Sequence, residues 1–193
     1  MASKISICNQ ALSEVGSDPI TSFDDGTVAS ESCKTHYDSV LKELLEKRYW
    51  SFAMKRDNLV ASTEIPKYGY SNSYPIPSDC IRIKGIESSD NRTYTGWVNE
   101  AGRIFTNFDD VNINYVSGTV PTEYFTGSFE SALVYLLASR LAIPIAKSRE
   151  LRNELMSIAE VKIREACAED GANTPPTQIM EHSSKLVNAR RRS

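Results

Sequence analysis

The sequence predicts an α+β chain, mainly α: a four-helix bundle with an inserted small antiparallel β subdomain and an extended C-terminal tail. Three observations predict it. Apolar residues recur at helical spacing in residues 1–58 and again in 119–170. Between these halves, residues 59–118 carry Pro66, Pro75 and Pro77 and short β-branched or aromatic runs, which exclude a long helix. Residues 171–193 are polar, include Pro175-Pro176, and hold only isolated apolar residues, too few to build a core. Two helices on each side of a β segment make the strands an insertion and assemble the core from sequence-distant halves. With 193 residues and 40% apolar content, the chain is long and apolar enough to bury one.

The first helix runs from about Ser3 to Val15, with Ile5, Cys8, Leu12 and Val15 on one face. Gly16 suits the residue after its cap, and Pro19 keeps it from resuming. Thr27 is placed to cap the second helix, although Ser30 rather than Glu holds the capping-box position. That helix continues to about Tyr49 on a stripe of Cys33, Tyr37, Val40, Leu41, Leu44 and Leu45. "CIRIKGI" (80–86), "RTYTGWV" (92–98), "GRIFTN" (102–107) and "VNINYV" (111–116) mark four or five strands of one small sheet or open barrel. "NEAG" (99–102) has the look of a hairpin turn between two of them. The third helix starts near Ser128 on Phe129, Ala132, Leu133, Leu136, Leu137 and Leu141, and Pro144 ends it. The fourth runs from Ser148 to about Asp170 with Leu151, Leu155, Ile158 and Ile163 inward, and Gly171 stops it.

The function classes narrow by exclusion. "MASKISICNQALSEVG" has no basic segment leading into an apolar run, so no signal peptide is expected. "ALVYLLASRLAIPIA" is interrupted by Arg140 and Pro144 and is too short and polar to cross a membrane. Cys8, Cys33, Cys80 and Cys167 are scattered without a CxxC pair, which predicts reduced packing residues in a cytosolic compartment and no structural metal. The Asn91 sequon is then accidental. The tail holds Lys185, Arg190, Arg191 and Arg192 against Glu181, or +3, so a chain total of −3 puts −6 on residues 1–170. A body this acidic does not suit a DNA-binding regulator, whose affinity comes mainly from neutralising phosphates.

No catalytic motif is present: no HExxH, GxSxG, Walker loop or GxGxxG. His36 sits mid-helix, and His182 lies in the tail, where holding catalytic geometry is difficult. Asp24-Asp25 and Asp109-Asp110 lack calcium-loop spacing and read as loop caps. No cofactor or catalytic residue is expected. An enzymatic reading, a glycan hydrolase, needs two carboxylates facing across a cleft.

The stretch "RYWSFAMKRDNL" (48–59) sets aromatics between cations. Such a pattern is either a nucleic-acid stacking surface or an apolar corner. With "ICNQALSEVGSDPITSFDD" and "ASESCKTHYDSVLKELLEKRYWSFAMKRDNL", it resembles the tail tubular protein A, or head-to-tail adaptor, family of tailed bacteriophages. Asn9, Ala11, Leu12, Gly16, Cys33, Tyr37, Trp50, Phe52, Ala53 and Arg56 match that family's pattern. "YGYSNSYPIPSDCIRI" resembles its tyrosine-rich entry to a Pro-x-Asp-Cys strand, and "FESALVYLLASRLAIPIAKSRELRNEL" its last two helices. The resemblance spans roughly residues 5–170. Val15, Tyr49 and Ile76 depart from the pattern conservatively, and the tail aligns with nothing in it.

The resemblance implies a structural, non-enzymatic virion protein made in the host bacterial cytoplasm. It implies a homo-oligomeric ring, typically a dodecamer, between portal protein and the tail nozzle or tube, with DNA passing the lumen without specific binding. It also favours the corner: Tyr37, Trp50 and Phe52 become structural anchors. For the tail, the apolar pair Leu186 and Val187 followed by Arg190, Arg191 and Arg192 predicts docking onto the portal or a neighbouring subunit.

Overall fold

The computed structural model describes residues 3–64, 66–90 and 92–173. It is a mixed α+β structure of four helices and two small antiparallel sheets of three strands each.

Helix α1, Lys4–Glu14, is capped by Ser3 and closes in a Schellman turn. There Ser17 N donates to Leu12 O at 3.0 Å, Gly16 N donates to Ser13 O at 3.1 Å, and Gly16 takes the left-handed φ of 71°. Asn9 then pins the following loop in both directions: its Oδ1 accepts from Ile20 N at 2.8 Å and its Nδ2 donates to Ile20 O at 2.9 Å. The buried face of α1 includes Ile7 and Ala11, which the expected stripe lacked, while Ile5 is only half-buried.

Helix α2, Val28–Glu46, opens with a capping box in which Thr27 and Ser30 bond reciprocally. A serine hydroxyl thus does the work usually given to Glu. All six residues of the expected stripe are buried. The helix ends three residues before Tyr49, because tertiary contacts claim its last carbonyls. Arg82 Nη1 donates to Glu46 O at 3.0 Å while its guanidinium lies 4.3 Å from the centre of the Tyr49 ring.

Helix α3, Gly127–Leu141, is buried on most of its circumference, and α1, α2 and α4 all pack on it. Pro144, lacking an N–H, prevents regular continuation, although helical turns run on until Lys147 takes a positive φ of 52°. Helix α4, Arg149–Asn173, lies along α3 through Leu155, Ala159 and Ala166, while Ile158 stays outside the core. Gly171 does not stop it. A Cβ there would stand 2.9 Å from Arg48 Nη2, so this glycine permits a close approach. The tail expected from residue 171 therefore starts with three helical residues. The rest of it, with Leu186, Val187, Arg190, Arg191 and Arg192, lies outside the described residues.

The β region also departs from the expectation of one sheet starting at residue 59. Strands β1 (Met54–Leu59), β2 (Asn72–Pro75), β3 (Cys80–Glu87), β4 (Val98–Glu100), β5 (Arg103–Thr106) and β6 (Val111–Ser117) form sheets ordered β1-β6-β3 and β2-β5-β4. Most of "RTYTGWV" is not a strand; Thr93 makes only an isolated bridge to Glu87. The 99–102 turn is as expected: Glu100 pairs with Arg103 across Ala101 and Gly102, both at positive φ. Tyr74, Ile86, Ile104, Val111, Ile113 and Tyr115 make one core shared by both sheets. Strand β6 links it to the helices, since Val116 points the other way, into the helical core.

Candidate functional site

The junction between helices and strands carries the densest side-chain network. After α2 the chain turns at Trp50, in extended conformation, passes a 3-10 turn at Ser51–Ala53, and enters β1. Trp50 is 0% exposed, which leaves no ring face for a base to stack on. Its Nε1 donates to Leu44 O at 2.9 Å. Its ring meets Phe129 edge-on at 4.9 Å, and Phe52 meets Phe129 at 4.8 Å and Phe125 at 5.7 Å. Tyr37 belongs to the same helical core, with Phe23 at 6.5 Å and Lys4 Nζ over its ring. Burial, and then the nearby Cys8, Asp38 and Glu130, push the Tyr37 phenol up from its ordinary value. The three expected anchors are therefore packed side chains of one core.

Two of the flanking cations, Arg48 and Lys55, pair with two different carboxylates. Arg48 Nε donates to Asp170 Oδ2 at 3.0 Å, and Asp170 Oδ1 accepts from Ser51 N at 2.9 Å and Ser51 Oγ at 2.6 Å. Asp170 is 3% exposed, so the last turns of α4 are tied to the corner by a buried carboxylate. Nothing in the sequence signals this contact, because the partners lie more than a hundred residues apart.

Lys55 pairs with Asp79 at 3.1 Å. Asp79, from the Pro-x-Asp-Cys segment, also accepts from Tyr115 Oη at 3.0 Å, Ser117 Oγ at 2.8 Å and Thr119 Oγ1 at 3.3 Å. Burial pushes its carboxyl up, but hydrogen bonds from Ser117, Lys55 and Tyr115 and the charge of Lys55 outweigh this and bring it down to about 2. A carboxylate depressed in the folded state stabilises fully above its unfolded value near 3.8 and loses that contribution as pH falls through about 2. Asp79→Asn is expected to lower stability by about 2 kcal/mol at pH 7, with the gap to wild type closing between about pH 4 and pH 2. Urea unfolding of both proteins across that range checks it; a gap that stays constant would show that ionisation of Asp79 is not what stabilises.

One aspartate of each pair, Asp25 and Asp110, caps a loop as expected, while the other pairs with a side chain. Asp25 accepts from Thr21 N and Ser22 N, which hold its carboxyl below the ordinary value, and Asp24 pairs with Lys34. Asp110 accepts from Ser89 N, and Asp109 from Asn72 Nδ2. Among the described residues no group of His, Cys, Asp and Glu could hold a metal ion. All four cysteines are free, with Cys8 and Cys33 buried. His36 is half-buried on α2. Asp57 and Glu87 line one open depression, but Asp57 is opposite Ile113 and Glu87 opposite Asn112, positions on opposite faces of the sheet. No described helix is long and apolar enough to cross a membrane. No family model matches the chain, and no curated protein matches it.

Proposed function

We propose that this chain is a structural head-to-tail adaptor of a tailed phage virion, made in the bacterial host cytoplasm and assembled as a ring between portal and tail. The observation that carries the reading is what the motif residues do. Asn9 clamps Ile20, Gly16 closes α1, Trp50 and Phe52 build the corner, and Asp79 gathers β1, β6 and the Thr119 loop. Each serves the scaffold, as expected of a protein whose work is mechanical. The helices, read as a four-helix bundle, carry mixed charge on their outer faces and suit heterologous contacts, which close into rings. A dodecamer fits under a portal. The −6 on residues 1–170 lets DNA slide through a lumen that repels phosphate. Leu186 and Val187 fill apolar niches on the portal or a neighbouring subunit, and Arg190, Arg191 and Arg192 pair with its carboxylates.

Mass photometry with purified portal rings tests both parts. The full chain is expected to load as a closed ring, and a chain ending at Asn173 to melt at the same temperature yet load at least about tenfold less. Ending at Asn173 keeps the Asp170 tie intact. Only monomer and bare portal with the full chain would overturn the adaptor reading; equal loading at low and moderate salt would remove the tail's docking role.

A further inference from the structure

The outer side of the sheet β2-β5-β4 carries an aromatic groove. Tyr68 is 89% exposed, an extreme value for so large a ring. Together with half-buried Pro66, Tyr70 and Phe105 and the exposed charges of Lys67 and Glu100, it lines one depression. A second depression continues past Pro66, Lys67 and Phe105 to Arg103 and Ser73. Phe105 alternates with buried Ile104 and Thr106, so its ring lies on the face turned from the core. Aromatic anchors within a charged rim are the anatomy of a docking surface. Flat rings along a groove suit a polyproline II segment, whose free carbonyls can accept from tyrosine hydroxyls.

The chain supplies such a segment. Beyond Asn173 it continues Thr174-Pro175-Pro176-Thr177. Proline locks its own φ and biases the residue before it to extended backbone, so this stretch has little freedom to lose on binding. We propose that the groove seats Pro175-Pro176 of a neighbouring copy of this chain; the proposal rests on the self-association in the reading above.

Reach decides whose segment it is. Asp170 fastens the end of α4 to Ser51, at the head of β1. Strand β1 then carries the chain about 17 Å away. The tyrosine end of the groove lies at that far end: Ser71 N donates to Asn107 Oδ1 at 2.9 Å, and the strand after Asn107 starts at Val111, opposite Leu59, the last residue of β1. Pro176 can extend at most about 10 Å past Asn173. With about 5 Å more for the helical residues 171–173, the segment still falls short of the tyrosine end of its own groove.

A synthetic peptide of residues 172–180, ANTPPTQIM, titrated into the full chain tests the site without requiring a ring. The expected result is saturable movement of the Tyr68, Tyr70 and Phe105 ring resonances. Affinity should fall about tenfold with Tyr68→Ala, which is too exposed to disturb folding, and about tenfold when both prolines of the peptide are alanine. Absence of saturable movement at these rings, or binding indifferent to both changes, overturns the proposal. A chain that ignores the peptide yet loads onto portal would sink the groove assignment alone. Seating of the peptide by a chain that never loads would sink the adaptor reading alone.

Discussion

Trp50→Ala is expected to cost about 3–5 kcal/mol of stability. The ring is fully buried and contacts Phe52 and Phe129, so its removal leaves a cavity between the end of α2 and the start of α3. Leu44 O would keep a donor, since Lys47 N also bonds it at 3.2 Å. Most of the loss is therefore packing rather than an orphaned carbonyl. Trp50→Phe retains an aromatic ring and gives up the indole N–H, and is expected to cost about 1–2 kcal/mol. Urea unfolding read by circular dichroism separates these cases, and weak binding to DNA should not change in either variant. A Trp50→Ala protein with wild-type stability would mean that the residue serves a surface.

The second large effect is expected at Asp170. Replacing it by Ala removes Oδ1, which accepts from both the Ser51 N–H and hydroxyl, and leaves the Arg48 guanidinium without its Oδ2 partner. Breaking a buried, hydrogen-bonded charge pair costs several kcal/mol, but Arg48 is 36% exposed and regains water. The expected loss is about 2–4 kcal/mol. Asp170→Asn keeps one acceptor for Ser51 N and should lose about half as much. The location of the effect is as diagnostic as its size: amide exchange should quicken in the last two turns of α4 while the β core, a separate cluster, keeps its protection. Uniform loss of protection would mean that Asp170 supports the whole fold rather than fastening one helix end.

These two residues differ in how much local sequence says about them. The aromatics around Trp50 fit either a stacking surface or an apolar corner, and the family resemblance favours the corner in which the ring is buried. Asp170 carries no such signal, since an aspartate near a helix end beside glycine looks like a solvated terminus. Glycine's freedom at a helix end predicts a stop at Gly171, whereas its missing side chain makes room for Arg48. Asp79 is legible as part of a motif, but its partners Lys55, Tyr115 and Ser117 come from β1 and β6. In the candidate groove, "YGYSNSY" is rich in tyrosine, but Tyr74 is core because β2 pairs it with buried Ile104, while Tyr68 lies in the loop before that strand and stays exposed.

What the sequence determined by itself is short-range. The helix starts at Ser3, Thr27 and Thr126, the stop at Gly16, the turn at Ala101-Gly102 and the buried stripe of α2 depend on residues a few positions apart. Their local hydrogen bonds and side-chain periodicity suffice to specify them. Tertiary structure alone decided that the strands divide into two sheets, that β1 begins at Met54, that α2 ends at Glu46 and that α4 runs on to Asn173. Each of these depends on bonds between distant segments: β1 with β6, Arg82 with Glu46 and Asp170 with Ser51. Such bonds form only once the core has brought their partners together, so local propensity carries no trace of them.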